Sequence, residues 1–126
     1  MELFPVEVDD DVHVIRAEGG IDGRNADRFL DEVTALVDEG ARRMVVDCSD
    51  LDIVSSTGLS ALLRVHGRLR RRGGDVKIAG VRGGFAQVLQ ITALNRVFDL
   101  YEDVGRAKLS FRDPDVRAGR TSSSES

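Results

Sequence analysis

The sequence predicts an α/β domain with a mixed sheet of about five strands and about four helices. Its first two apolar segments are short, and the acidic turn between them at residues 9–11 is tight, which is typical of an antiparallel strand pair. After that pair, helical spacing of apolar residues alternates with short apolar runs along the chain. The resulting order, β-β-α-β-α-β-α-β-α, favours one sheet covered by helices.

The first part of the chain contains the predicted strand pair and a helix. Residues 3–8 and 12–17 form the two strands. Either Asp22 or Asn25 is expected to cap the start of the helix, and Gly40 to end it. The helix itself is indicated by six apolar residues at helical spacing: Ala26, Phe29, Leu30, Val33, Leu36 and Val37.

The second part begins with an apolar run at residues 44–48, which is typical of a buried central strand. A helix is expected from Gly58 to the glycine pair at residues 73–74, because its apolar residues recur at helical spacing. The later elements are, in order, a strand at residues 76–81, a helix carrying Phe85, Val88, Leu89 and Thr92, a strand at residues 96–101 and a short helix at residues 102–109.

Composition limits the classes of protein to which this chain can belong. With 126 residues, 41% of them hydrophobic and 32% charged, it can bury the core of one domain. A formal net charge of −4 argues against nucleic-acid binding, and no apolar run approaches the roughly 18 residues of a membrane helix. The single cysteine and the lack of a signal-peptide pattern favour a cytoplasmic protein. We expect one domain at residues 1–112 and a disordered polar tail at residues 113–126.

Three consecutive hydroxyl residues, Ser55, Ser56 and Thr57, are the most informative feature of the chain. They follow an apolar strand that ends at Asp47, and they precede Gly58 and an amphipathic helix. One helix cap needs only one hydroxyl, so capping alone does not explain three. A phosphate at this helix start would lie in the favourable field of unpaired backbone N–H groups, so the cluster indicates a modification site.

These residues resemble the signature of the STAS family of anti-sigma-factor antagonists. Ser56-Thr57-Gly58-Leu59 is similar to the S-[ST]-G-L part of the family's D-S-[ST]-G-L motif, and Gly20-Ile21-Asp22 is similar to its G-x-[LI]-D element. The resemblance implies a STAS fold, with Ser56 as the phosphorylated serine and Thr57 as the hydroxyl beside it. This chain has Ser55 where the family usually has Asp, which leaves Ser55 and Thr57 as alternative phosphorylation sites.

The resemblance also implies a function in partner switching. The unphosphorylated protein would bind an anti-sigma-factor serine kinase and release the sigma factor, in the regulation of transcription during a stress response. Phosphorylation near Ser56 would switch this binding off, and a serine phosphatase would restore it. The protein would then be no enzyme, with no catalytic residue, bound metal or cofactor. The expected partner-binding residues are Asp22, Ser56, Thr57, Gly58, Leu59 and Leu62.

Other classes of protein remain open at this point. The replacement of Asp by Ser55 favours a constitutive STAS binding module of a lipid-transporter or stress-sensing complex. A receiver domain would use Asp47 as its phosphoacceptor, but the antiparallel opening pair and the lack of a convincing late-strand Lys argue against it. A serine hydrolase would need a histidine near Ser56, whereas His66 lies about 15 Å further along the same helix and His13 is not excluded by spacing.

Two charged groups have a structural and a functional interpretation. The carboxylates Asp47, Asp50 and Asp52 are expected in a solvated loop and at a strand end, with a Mg²⁺ site as the alternative. Several arginines lie on the second helix and at its end. They form either a solvated face that complements the helix dipole or a docking surface for an acidic partner. These arginines are Arg64, Arg68, Arg70, Arg71 and Arg72.

Overall fold

The computed structural model describes residues 4–17, 21–51 and 55–112. Within these ranges, five strands and four helices follow the predicted order, with a 3-10 turn at Leu94–Arg96 before the last strand. The strands are β1 (Val6–Asp9), β2 (Val12–Arg16), β3 (Arg43–Asp47), β4 (Asp75–Ala79) and β5 (Asp99–Tyr101). The helices are α1 (Ala26–Asp38), α2 (Ser56–Arg71), α3 (Gly83–Ile91) and α4 (Val104–Ser110).

The five strands form one mixed sheet in the order β1-β2-β3-β4-β5. β1 is antiparallel to β2, and the remaining three pairs are parallel. In register, Val46 of β3 lies between Ile15 of β2 and Ile78 of β4. The carboxyl ends of the parallel strands therefore share one edge of the sheet, and the connection from β3 to α2 leaves from that edge.

Helices cover the two faces of the sheet unequally. The larger core lies against α1, α2 and α3 and contains Phe29, Val46, Leu62 and Phe85, all almost completely buried. On the other face, α4 covers a smaller core that includes Val45 and Tyr101. The start of α2 is thus attached to the better-packed side of the domain.

Glycines end the two long helices in the same way. After α1, Gly40 has φ +113° and donates its N–H to the carbonyl of Val37. The N–H of Ala41 donates to the carbonyl of Leu36. After α2, Gly73 has φ +81° and the same pair of bonds is formed. Because only glycine adopts this left-handed conformation without steric cost, both predicted helix ends are confirmed.

Several element boundaries differ from the predictions, by one to three residues. β1 begins at Val6 rather than at residue 3, and residues 1–3 lie outside the described residues. α2 begins at Ser56 rather than at Gly58. The last strand is shorter than predicted, because the backbone at Ala93 is left-handed and a 3-10 turn occupies the residues before Asp99. The predicted tail at residues 113–126 also lies outside the described residues.

Candidate functional site

The three hydroxyl residues have different roles at the start of α2. Ser55 is the N-cap, with an extended backbone (φ −77°, ψ 164°), and its Oγ accepts a hydrogen bond from the N–H of Gly58 at 3.0 Å. Ser56 and Thr57 are the first two helical residues, and both are exposed. Among the described residues, neither of their hydroxyls has a hydrogen-bond partner. Capping therefore uses Ser55 alone and leaves two hydroxyls accessible.

The charge distribution along α2 favours an anion at its first turn. That turn contains no acidic residue, whereas the last turn contains Arg68, Arg70 and Arg71. The helix dipole places partial positive charge at the first turn, so a phosphate there is stabilised. A phosphate on Ser56 would also approach backbone N–H groups that have no acceptor within the helix.

A shallow groove of about 330 Å³ separates the first turns of α1 and α2, and we call it the helix groove. Both hydroxyls line it together with the Asp27 carboxylate and the Arg64 guanidinium, so the site combines neutral donors with one negative and one positive charge. The residues that line the helix groove are Ala26, Asp27, Leu30, Ser56, Thr57, Ser60, Ala61 and Arg64.

The loop before α1 is held by a local network around Asp22. Its carboxylate accepts hydrogen bonds from the backbone N–H (2.8 Å) and a guanidinium N–H (3.1 Å) of Arg24. The Asn25 side chain accepts the N–H of Asp22 at 2.8 Å. Asn25 is the N-cap by position, but no side chain bonds to the N–H groups of α1. Asp22 therefore orders the loop rather than capping the helix, and the bonds from Arg24 hold the pKa of its carboxyl below the ordinary value.

The sequence matches the family model of the STAS domain over residues 4–107. This chain belongs to the STAS domain family. A curated relative in Bordetella bronchiseptica, BtrV, is assigned as a candidate anti-sigma factor antagonist. It is 30% identical over 95 residues, which are 75% of this chain and 82% of the relative.

Solved structures of other STAS proteins have the same fold. An anti-sigma factor antagonist from Mycobacterium paratuberculosis is 25% identical with a TM-score of 0.78, covering 88% of this chain and 94% of its own. A candidate antagonist from Thermotoga maritima is 21% identical with a TM-score of 0.80, covering 87% and 95%. The phosphorylated form of the Bacillus cell fate determinant SpoIIAA is 19% identical with a TM-score of 0.70, covering 87% and 100%. At these lower identities the likeness shows the fold alone.

The carboxylate of Asp47, at the end of β3, makes contacts that stabilise the structure around it. One oxygen of Asp47 accepts hydrogen bonds from the backbone N–H (3.0 Å) and the hydroxyl of Ser49. The other lies 3.8 Å from the guanidinium of Arg16. The guanidinium of Arg82 in turn donates to the Ser49 carbonyl at 2.6 and 2.9 Å. Asp47 thus stabilises the loop that leads from β3 towards α2.

The other residues considered for catalysis or metal binding are a cysteine, a histidine and two aspartates. Cys48 is completely buried, and burial raises the pKa of its thiol, as expected for an unreactive core residue. The ring of His66 packs edge-on against Phe98, with 5.6 Å between ring centres. Asp50 is exposed, and Asp52 lies outside the described residues. Within the described ranges, no three acidic, histidine or cysteine side chains are grouped as metal ligands.

The predicted partner-binding residues are only partly accessible in this STAS domain. Ser56 and Thr57 are exposed and Leu59 is half-buried. Gly58 is buried, and its N–H is occupied by the cap. Leu62 is 1% exposed and belongs to the larger core, so its side chain holds α2 against the sheet.

Sequence reasoning missed the bracing of the β3–α2 loop by Ser49 and Arg82. One signal was available in Gly80, which has φ +78°. A Cβ at Gly80 would lie 2.6 Å from the Ser49 hydroxyl, so only glycine admits this close approach of the two loops.

None of the helices in the described ranges has the length and apolar character required to cross a membrane.

Proposed function

We propose that this STAS domain is an anti-sigma-factor antagonist whose partner binding is switched off by phosphorylation of Ser56. In its unphosphorylated form it binds an anti-sigma factor of the serine-kinase type in the cytoplasm, and the sigma factor is released. A serine phosphatase removes the phosphate and restores binding. The relative at 30% identity is assigned to the same class of regulator, which supports the general part of this proposal.

The observation that carries the proposal is the division of roles within the hydroxyl cluster. Ser55, which stands where the family motif usually has Asp, caps α2, so the helix start is intact without that Asp. Ser56 keeps an exposed hydroxyl at the first helical position, where the motif has its phosphorylated serine. The change from Asp to Ser55 is therefore compatible with a functional switch at Ser56.

The same geometry supplies a physical reason for the switch. A phosphate on Ser56 adds about −1.5 to −2 charges at neutral pH, in a groove lined by one carboxylate, Asp27, and one guanidinium, Arg64. A partner surface that fits the neutral hydroxyl would have to accept both this charge and its hydration shell. Binding is lost because the phosphate must be desolvated on contact and repels any carboxylate that the partner brings to the groove.

The test is reconstitution with the purified anti-sigma-factor kinase from the same organism. We expect the wild-type domain to bind the kinase, and ATP to produce one phosphate, located by mass spectrometry on Ser56. Ser56→Ala should bind but not be phosphorylated, whereas Ser55→Ala and Thr57→Ala should still be phosphorylated. Phosphate on Ser55 or Thr57 instead would contradict the assignment to Ser56.

A constitutive binding module is the second candidate function, because the family's Asp is absent at Ser55. Such a module of a lipid-transporter or stress-sensing complex would use the same helix start without a phosphate. It predicts that the kinase neither binds nor modifies the wild-type domain. It also predicts that Ser56→Glu leaves assembly with the complex unchanged.

A further inference from the structure

Three arginines form a row along one side of α2, at spacings of four and three residues, with the first and last exposed and the middle one half-buried. We call Arg64, Arg68 and Arg71 the arginine row. Arg70 and Arg72 lie 3.8 Å from Asp75 and 2.9 Å from Asp38 respectively. In contrast, none of the three side chains in the arginine row has a hydrogen bond or ion pair with any residue that the structure describes.

The domain's own structure does not account for this row. The C-terminal end of the helix dipole stabilises cations in the last turn, which explains Arg68 and Arg71 but not Arg64 in the middle of α2. Like charges three or four residues apart disfavour a helix. Because acidic residues outnumber basic ones by 22 to 18, carboxylates are plentiful in the chain. Despite that excess, no carboxylate within residues 4–17, 21–51 and 55–112 pairs with the row.

A row of opposite charge lies on the neighbouring helix. Asp27, Asp31 and Asp38 are exposed on α1 at spacings of four and seven residues, and we call them the aspartate row. Asp27 lines the helix groove together with Arg64, and Asp38 reaches Arg72 at the far ends of the two helices. Two parallel rows of opposite sign therefore run side by side, starting at the helix groove.

This pattern discriminates between classes of partner. Nucleic acid and anionic membranes present negative charge throughout, so contact with the arginine row would bring them against the aspartate row as well. A protein surface can place carboxylates over one helix and cations over the other. The adjoining rows therefore fit a protein with two complementary stripes of charge.

We propose that the two rows are the docking surface for the anti-sigma-factor kinase, whose own carboxylates lie over the arginine row and whose cations lie over the aspartate row. This inference rests on the proposed function, and it extends the interface from the helix groove along the length of α2. It also connects docking to the switch. A phosphate on Ser56 would stand at the head of the arginine row, where it repels the carboxylates that the row attracts.

The first test compares two triple variants with equal loss of charge. Arg64→Gln/Arg68→Gln/Arg71→Gln removes the arginine row with good helix formers. The control, Arg43→Gln/Arg106→Gln/Arg112→Gln, removes three exposed arginines from β3 and the α4 segment, where the ion pairs of Arg106 and Arg112 are exposed and contribute little. Far-ultraviolet circular dichroism and thermal unfolding establish that both variants are folded.

Binding kinetics with the purified kinase give the readout at low and high salt. We expect the arginine-row variant to associate about tenfold more slowly at low salt, with a smaller salt dependence, whereas the control is unchanged. Asp27→Asn/Asp31→Asn should also weaken binding, because the kinase's cations lose their partners. If this second variant binds more tightly, the partner is uniformly acidic and the two-stripe arrangement is wrong.

The remaining outcomes separate this inference from the proposed function. Normal association by the arginine-row variant, or equal slowing in the control, overturns the docking surface while kinase binding by the wild type still stands. Failure of the wild type to bind the kinase overturns both. Binding of a 20-base-pair duplex or phosphatidylglycerol vesicles, or self-association in sedimentation experiments, overturns the protein docking surface if that binding is lost with the arginine row.

A chemical test locates the contacts directly. Arg64→Lys/Arg68→Lys/Arg71→Lys keeps the charge and introduces amines that a carbodiimide can couple to carboxylates in contact. We expect restored association and zero-length cross-links from these lysines to aspartate or glutamate residues of the kinase. Cross-links only from lysines outside α2 would contradict the proposed docking surface.

Discussion

The starts of α1 and α2 lie side by side but are built differently. α1 has an acidic residue, Asp27, in its first turn, and its preceding loop is ordered by Asp22 and Asn25 without a side-chain cap. α2 has a neutral cap, Ser55, and no acidic residue in its first turn. Both helix starts attract negative charge, but only α1 already carries one. The start of α2 can therefore gain a phosphate with little local repulsion from its own helix.

The largest expected effect comes from a permanent charge at the start of α2. Ser56→Glu should weaken binding to the anti-sigma-factor kinase about 100-fold, or by about 2.7 kcal/mol, because an ionised carboxylate must be desolvated in the interface. Isothermal titration calorimetry measures this effect. Gln87→Glu, at an exposed position of α3, adds the same charge elsewhere and should bind like the wild type. Equal losses in both variants would assign the effect to net charge.

The next effect concerns stability and separates the cap from its neighbour. Ser55→Ala removes the acceptor for the Gly58 N–H and should lower the free energy of unfolding by about 1 kcal/mol. Ser56→Ala removes no hydrogen bond to a described residue and should change it by less than about 0.5 kcal/mol. Urea unfolding of both variants provides the comparison. If the two losses are alike, Ser55 does not act as the cap in solution.

A smaller effect is expected when the family's usual residue is restored at the cap. Ser55→Asp places a carboxylate at the positive end of α2 and should stabilise the unphosphorylated domain by about 0.3–1 kcal/mol. Phosphorylation of Ser56 should then raise the melting temperature less than in the wild type, because two negative charges share one helix start. Calorimetric melting of both proteins, with and without phosphate, tests this prediction. An equal rise in the two proteins would mean that Ser55 does not influence the phosphorylated state.

Local patterns were sufficient to predict much of this fold. The apolar spacing of α1 reflects burial of one face against the sheet, with Phe29 and Val33 fully buried. Gly40 marked the end of that helix, since its conformation favours glycine on steric grounds alone. Such signals depend on neighbouring residues in the chain, so they can be read without the tertiary structure.

Features set by contacts distant in the chain were not predictable. The cap is a local exception that residue type does not decide, because any of the three hydroxyls can cap a helix and only the structure identifies Ser55. Lys77 is an example of a distant contact, because it is 8% exposed and its ammonium group lies 3.0 Å from Asp99, 22 residues away. Burial would lower the pKa of Lys77, but the hydrogen bond and charge of Asp99 more than offset this effect and raise the pKa. Only the pairing of β4 with β5 brings these two residues together.

The smallest expected effect tests the other half of the comparison, the loop before α1. Arg24 holds the pKa of Asp22 below its ordinary value through hydrogen bonds from its side chain and its backbone. Because the folded-state pKa is depressed, the ionised carboxylate favours the folded state above the unfolded pKa, and this contribution is lost as pH falls through the folded pKa. Arg24→Gln keeps the backbone bond, so the Asp22 pKa should rise only part of the way to its ordinary value. Carbon-detected NMR titration measures it, with Asp9 as the internal control because its lowered pKa depends on Lys108. An unchanged Asp22 pKa in Arg24→Gln would show that the backbone bond alone holds the carboxylate, leaving the exposed Arg24 guanidinium available to a partner.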